Sequence, residues 1–113
     1  MRNLSAWLLV GFVVLALTVP SVVVAGSNVE AGKAVYDKKC ATCHGKEGEG
    51  KEAIAKTMKV ELRHLGSADV QGKSDDQLKK ESIEGTGKMK PVKGLSDEDV
   101  ANLMAYLRTL KQK

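Results

Sequence analysis

The clearest pattern in the chain is an apolar stripe near its carboxyl end. The members of this stripe recur three or four positions apart, at Val100, Leu103, Met104, Leu107 and Leu110. That spacing places them on one face of an α-helix. Acidic residues precede the stripe and basic residues close it, at Asp97, Glu98, Asp99, Arg108, Lys111 and Lys113. Since Ser96 is a favourable N-cap and this order of charges suits the helix dipole, a last helix is predicted to start there.

A second helical pattern covers residues 29–39 near the start of the polar part of the chain. Val29, Gly32, Val35 and Tyr36 fall on one helical face. A glycine in the middle of a helix costs about 1 kcal/mol relative to Ala. Gly32 is therefore explained if another helix crosses close to this position.

The segment that follows the first helix is more polar. Residues 45–50 have the composition of a loop, and residues 52–59 are predicted to form a short helix. Residues 60–72 read as an irregular segment, with Leu62 and Leu65 as its apolar points.

A further helix is predicted from Ser74 to about Glu84. Ser74 and Gln77 have the spacing of a capping box, and Leu78 and Ile83 are expected to face inward. The glycines of the Gly85-Thr86-Gly87 segment end this helix and lead into an extended loop. With no convincing strand and no repeat, the prediction is an all-α domain of about four helices.

The first 25 residues differ from the rest of the chain. Arg2 is followed by a 14-residue apolar run, Ala6–Val19, and Val23-Val24-Ala25 offers the small residues that a signal peptidase reads. This pattern predicts an export signal over residues 1–25 and a mature domain over residues 26–113. The alternative is an uncleaved membrane anchor, because the 22 residues Leu4–Ala25 carry no charge. Either reading delivers the domain to the periplasm or another exported location, where disulfides can form.

Residues 26–113 are poor in large apolar side chains. Leu, Ile, Val and Phe number only 15 among these 88 residues, and a domain with so small a core usually depends on disulfides, a metal or a cofactor. Tyr36 and Tyr106 are the aromatic residues of this part, too few for a surface that stacks nucleic-acid bases. Its 17 basic and 14 acidic residues alternate, so the sequence contains no basic block typical of nucleic-acid binding.

Both cysteines lie in the motif Cys40-Ala41-Thr42-Cys43-His44. C-x-x-C-H is the pattern of covalent haem attachment, in which the two thiols on one helical turn add to the two vinyl groups and His44 ligates the iron. A disulfide between Cys40 and Cys43 would close a short loop and stabilise little. A thioredoxin-like pair needs a βαβ context, and zinc needs four ligands where only His64 remains as a second histidine. The motif therefore predicts one covalently bound haem c, which would also supply the missing apolar mass.

Four residues are candidates for the second iron ligand. Met104 belongs to the apolar stripe of the last helix and is expected in the core. Met58 lies close to the motif along the chain, and His64 is a lone histidine typical of a surface or propionate-contacting position. Met89 lies in a glycine-rich loop stiffened by Pro91, which can bring its thioether to the face of the iron opposite the histidine. A Met/His pair raises the reduction potential and leaves no open coordination position, which favours electron transfer.

With these residues in view, the chain resembles class I cytochrome c, the small monohaem bacterial type. The resemblance spans residues 32–110 and is carried by GKAVYDKKCATCHG at the start and GTGKMKPVKGLSDEDVANLMAYLRTL at the end. It implies the small cytochrome c fold, with the helices wrapped around one covalent haem and the first and last helices crossing.

The resemblance also implies contacts and a ligand. Gly32 and Tyr36 are expected to meet the last helix near Tyr106, and Met89 is expected to be the distal ligand. The family usually has a proline directly after this methionine, whereas here Lys90 intervenes.

The function expected from these features is that of an exported monohaem carrier of single electrons between redox proteins. The protein is expected to be a monomer and not an enzyme. Lysines that could steer an acidic partner are Lys39, Lys46, Lys88, Lys90 and Lys93, although acidic residues at Glu47, Glu49 and Glu52 weaken that reading. The alternative function is a five-coordinate haem sensor or weak peroxidase, which requires that Met89 does not ligate. A thiol oxidoreductase is a third possibility, and free thiols in the mature protein would identify it.

Overall fold

The computed structural model describes residues 28–113. The predicted export signal, residues 1–25, lies outside the described residues. The helices of the described part are α1 (Val29–Lys39), α2 (Ala41–His44), α3 (Glu52–Met58), α4 (Ala68–Gln71), α5 (Asp75–Glu84) and α6 (Asp97–Thr109). Residues 28–113 contain no strand, only an isolated bridge between Thr86 and Met89, and none of their helices has the length and apolarity needed to cross a membrane. The all-α prediction is confirmed.

The predicted count of about four helices misses two short ones. The first, α2, is a single turn that contains Ala41–His44, four of the five residues of the cysteine motif. The second, α4, lies inside the segment predicted to be irregular. One turn is too short to show periodicity, and α4 is held by tertiary bonds: the Gln71 side chain donates to the carbonyls of Leu65 (2.8 Å) and Leu107 (3.0 Å).

The helix starts follow from the serine caps. The Ser96 hydroxyl accepts from the Asp99 N–H, and the Asp99 carboxylate accepts from the Ser96 N–H, which completes a capping box. Ser74 likewise accepts from the Gln77 N–H at 3.1 Å. The reciprocal bond, in which the Ser74 N–H would donate to the Gln77 side chain, is absent, and the Gln77 amide donates to Glu81 at 3.0 Å. The α5 cap is therefore half of a capping box.

The crossing of α1 and α6 is as close as the sequence predicts. A Cβ atom on Gly32 would lie 1.9 Å from the carbonyl oxygen of Asn102 and 2.9 Å from the Cβ of Tyr106. Beside this contact the rings of Tyr36 and Tyr106 pack with their centroids 5.2 Å apart. Asn102, a buried polar residue, also accepts the Asn28 N–H at 2.7 Å and so ties the start of α1 to α6.

The core is one cluster around α6. Its buried members are Tyr36, Leu78, Leu103, Met104, Tyr106 and Leu107. Met104 is 3% exposed, which confirms its predicted place in the core. Val29, the first residue of α1, is 43% exposed. The prediction for Ile83 is wrong, since this side chain is 47% exposed. Ile83 lies five residues after Leu78, about 140° further around the helix axis, so both cannot face the same side.

Arg108 fastens the turn between α4 and α5 to the last helix. Its guanidinium donates to the carbonyls of Gln71 (2.9 Å) and Lys73 (2.8 Å) and to the carboxylate of Asp75 (2.7 Å). The planar fork of Arg suits several acceptors at once. Arg108 therefore does more than supply positive charge to the end of α6, and it fixes where α5 begins.

Candidate cofactor site

A cavity of about 850 Å³ opens beside the core. Its floor includes three leucines that also belong to the core or its margin, Leu78, Leu103 and Leu107. Around the floor the cavity is lined by the cysteine motif, by α5 and by residues 86–93 that follow it. The volume lies within the range of sites that enclose cofactors, and the lining is mainly apolar.

The cysteine motif forms one wall because of the turn that α2 makes. Cys40 ends α1 and begins α2, and its carbonyl accepts the N–H groups of Cys43 (3.2 Å) and His44 (2.9 Å). Cys40, Cys43 and His44 all line the cavity. No disulfide joins the two cysteines, and burial raises the pKa of the Cys40 thiol to about 11.

The backbone on both sides of His44 is held by hydrogen bonds. The His44 carbonyl accepts the Gly50 N–H at 2.7 Å, and the Cys43 carbonyl accepts the Lys51 N–H at 2.9 Å. The hydroxyl of Tyr36, a fully buried side chain, donates to the carbonyl of Gly45. The polar loop after the motif thus folds back and fixes the direction of the histidine.

The state of His44 fits a metal ligand. Burial lowers the pKa of His44, so the ring is neutral at neutral pH, the form that binds metal ions. Its Nδ1 atom is buried and finds no hydrogen-bond partner within residues 28–113. Two thiols, a neutral imidazole and an apolar cavity make up the donor set and the space that haem c requires, so the residues present fit this group.

Met89 reaches the same cavity from the loop after α5. Its backbone pairs with Thr86 through two hydrogen bonds of 2.9 and 3.1 Å. Gly85 and Gly87 have φ values of 79° and 54°, and a Cβ atom on Gly85 would lie 2.5 Å from the Met89 carbonyl oxygen. Glycine is therefore required at position 85 for the tight turn that presents Met89.

Of the other three candidate ligands, Met58 lines the cavity, and Met104 and His64 do not. The Met58 carbonyl accepts a hydrogen bond from the Lys88 ammonium at 2.8 Å. Met104 is buried in the core. His64 lies outside the cavity lining, where its Nδ1 accepts the Gly66 N–H at 2.9 Å. The structure therefore leaves Met89 and Met58 as the candidate methionines beside the cavity.

Four of the five predicted steering lysines surround the cavity. Lys39, Lys88, Lys90 and Lys93 line it, whereas Lys46 does not. Lys90, which separates Met89 from Pro91, is exposed. The lining also contains charged residues that the sequence did not indicate, at Glu61, Arg63, Lys73 and Glu81. The local sequence gives no sign that these residues line a cavity, since charged residues in polar segments are usually exposed to solvent.

The zinc alternative finds no support in the described part of the chain. Within residues 28–113 no three side chains of His, Cys, Asp or Glu come together in an arrangement that could hold a metal ion. The cysteine motif supplies one histidine and two thiols, and His64 lies outside the cavity lining.

Comparisons with known proteins agree on one family. The family profile described as Cytochrome c matches residues 29–111. The chain is 40% identical over 89 residues to cytochrome c-554(547) of Halothiobacillus neapolitanus, which covers 74% of this chain and 98% of the relative. The solved structure of the KustC0563 c-type cytochrome superposes with a TM-score of 0.62 at 30% identity, covering 72% of this chain and 98% of that one.

Proposed function

The chain belongs to the cytochrome c family, and from this premise we propose that it is an exported monohaem electron carrier whose iron is held between His44 and Met89. Haem c, covalently bound, supplies the one-electron couple of ferric and ferrous iron. In this proposal Cys40 and Cys43 hold the haem through their sulfur atoms. The proposed carrier binds no substrate and catalyses no reaction of its own.

The observation that carries the proposal is that the two thiols, His44 and Met89 line one apolar cavity. His44 is kept neutral by burial, so its imidazole is available without first losing a proton. The turn between Thr86 and Met89 fixes the thioether loop at its base. The leucine floor excludes water, which lowers the reorganisation that accompanies a change of iron charge.

Export is proposed from the sequence of residues 1–25, with cleavage after Ala25.

Cytochromes c act with redox partner proteins, and we propose that an acidic partner docks at the cavity mouth. The support is the group of four lysines there, at Lys39, Lys88, Lys90 and Lys93. Because exposed charges are screened by salt, electron exchange with such a partner should slow as the ionic strength rises.

The test of the axial ligand uses three variants of the haem-loaded protein. Met89→Ala should lose the weak red band of iron–thioether ligation in the oxidised spectrum, lower the reduction potential and bind carbon monoxide rapidly. Met58→Ala tests the other methionine beside the cavity, and His64→Ala tests a residue outside it. Both of these variants should keep the parent spectrum.

Three results would contradict this assignment. A Met89→Ala protein with the parent red band and potential would show that another residue is the ligand. Loss of the band in Met58→Ala alone would transfer the role to Met58. If the parent protein itself lacks the band and binds carbon monoxide rapidly, the five-coordinate sensor or peroxidase is correct, a reading that the insertion of Lys90 after Met89 favours.

A further inference from the structure

An ion pair lies in the wall of the haem cavity and involves none of the four proposed haem-binding residues. The Lys73 ammonium contacts both carboxylate oxygens of Glu81, at 2.9 and 3.0 Å, and the Gln77 amide donates to the same carboxylate at 3.0 Å. The Lys73 and Glu81 side chains are 38% and 20% exposed. Lys73 and Glu81 both line the cavity.

The positions of both charges are fixed by their surroundings. Lys73 precedes α5, and its carbonyl accepts a hydrogen bond from Arg108 at 2.8 Å. Glu81 is on the same side of α5 as Leu78, which belongs to the cavity floor. Hydrogen bonds from Gln77 and from Lys73 lower the pKa of Glu81, so the carboxylate is ionised at neutral pH.

The charge of the site changes when the protein works. Loss of one electron from ferrous iron to a redox partner leaves the cavity more positive by one unit. A carboxylate in the wall stabilises the oxidised form and lowers the reduction potential, whereas an ammonium group raises it. These effects are larger where water is partly excluded. Two opposite charges held together largely cancel at longer range.

We propose that Lys73 and Glu81 shift the reduction potential in opposite directions, each residue cancelling most of the effect of the other on the iron. This inference rests on the proposed function, since it requires haem in the cavity. Other charged residues line the same cavity, at Lys39, Glu61, Arg63, Lys88, Lys90 and Lys93. Among these only Arg63 forms an ion pair within residues 28–113, a 3.4 Å contact with Asp69 whose side chains are more than half exposed.

The test measures the reduction potential of three variants of the haem-loaded protein by spectroelectrochemistry at neutral pH. Glu81→Gln should raise the reduction potential and Lys73→Met should lower it. Each substitution should change the equilibrium constant for electron exchange with a given redox partner on the order of three- to tenfold. The double variant should return close to the parent. If one single variant fails to fold, the other still tests the predicted direction of the shift in reduction potential.

Glu84→Gln and Lys80→Met are matched controls, because these α5 residues are exposed and lie outside the cavity lining. Glu84→Gln should shift the reduction potential by less than half as much as Glu81→Gln, and Lys80→Met by less than half as much as Lys73→Met. Equal shifts in variants and controls, or shifts of the same sign in Glu81→Gln and Lys73→Met, would overturn the proposal. The red band should persist in all five proteins, so failure of this inference is distinct from failure of the Met89 assignment.

Discussion

Replacement of Gly32 tests the contact on which the fold depends most directly. At this position α1 and α6 touch through backbone atoms, since a Cβ atom would lie 1.9 Å from the Asn102 carbonyl oxygen and 2.5 Å from its carbonyl carbon. No side-chain rotation can relieve such a contact. Any side chain at position 32 must push the two helices apart, which also strains the Asn28–Asn102 hydrogen bond and the packing of Tyr36 on Tyr106.

The magnitude follows from two opposing effects. Added volume in a packed core costs about 1–3 kcal/mol, and the obstacle at Gly32 is backbone that moves only with the whole of α6. Alanine regains about 1 kcal/mol through its better helix propensity. We therefore expect Gly32→Ala to lose about 1–2 kcal/mol of the free energy of unfolding, and Gly32→Val, with two more methyl groups, about 3 kcal/mol or more.

Thermal unfolding of the haem-loaded protein, followed by circular dichroism, measures this loss. For a domain of this size each kcal/mol lowers the melting temperature by about 4–8 °C, so Gly32→Val should melt on the order of 10–20 °C below the parent. Gly72→Ala is the control. Its φ of −74° is open to alanine, and its tightest contact would be 3.0 Å. A Gly32→Ala protein that melts at or above the parent temperature would refute the close crossing.

Three further predictions follow from other parts of the structure. Replacing Cys40 and Cys43 together with Ala should give a chain without cooperative thermal unfolding, and a well-folded haem-free variant would contradict this. Arg108→Lys keeps the positive charge but loses the planar guanidinium that holds the α4–α5 turn. The free energy of unfolding, measured with denaturant, should fall by about 1–2 kcal/mol. The control Arg63→Lys alters an exposed ion pair and should change the free energy of unfolding little. The pKa of Glu81 is lowered in the folded protein. The ionised carboxylate therefore stabilises the folded state at pH values above the ordinary carboxyl pKa, and this stabilisation is lost as the pH falls through the pKa of the folded state. The stability advantage of the parent over Glu81→Gln should therefore shrink between about pH 5 and pH 3, and a constant difference would disprove it.

The sequence predicts the helix starts and the helix crossing because their signals are local. Ser74 and Ser96 are caps that act within one helical turn. Gly32 is an unfavourable residue for a helix interior, and only a close contact explains it. The cysteine motif likewise encodes its chemistry in five consecutive residues. These features could be read without knowing how the chain folds on itself.

The features that the sequence does not reveal depend on distant partners. Asn102 is a polar residue beside an apolar stripe, and only the arrival of Asn28, 74 residues away in sequence, explains its burial. The α4 turn depends on bonds from Gln71 to Leu65 and Leu107. In both cases the deciding contact joins segments that no short window of sequence contains. The error at Ile83 is different, because the angle between Leu78 and Ile83 on a helix follows from their spacing alone.

The shortage of large aliphatic residues and the electron-transfer function have one structural cause. Leu78, Leu103 and Leu107 are buried core residues, and the same three side chains form the floor of the cavity. A domain whose core is also its cofactor site cannot complete that core from its own side chains, because filling the cavity with protein would leave no room for haem. The covalent group therefore serves as part of the core, and its burial gives the iron the water-poor surroundings in which nearby charges such as those of Lys73 and Glu81 act strongly. Stability and reduction potential are thus expected to change together when the cavity floor is altered.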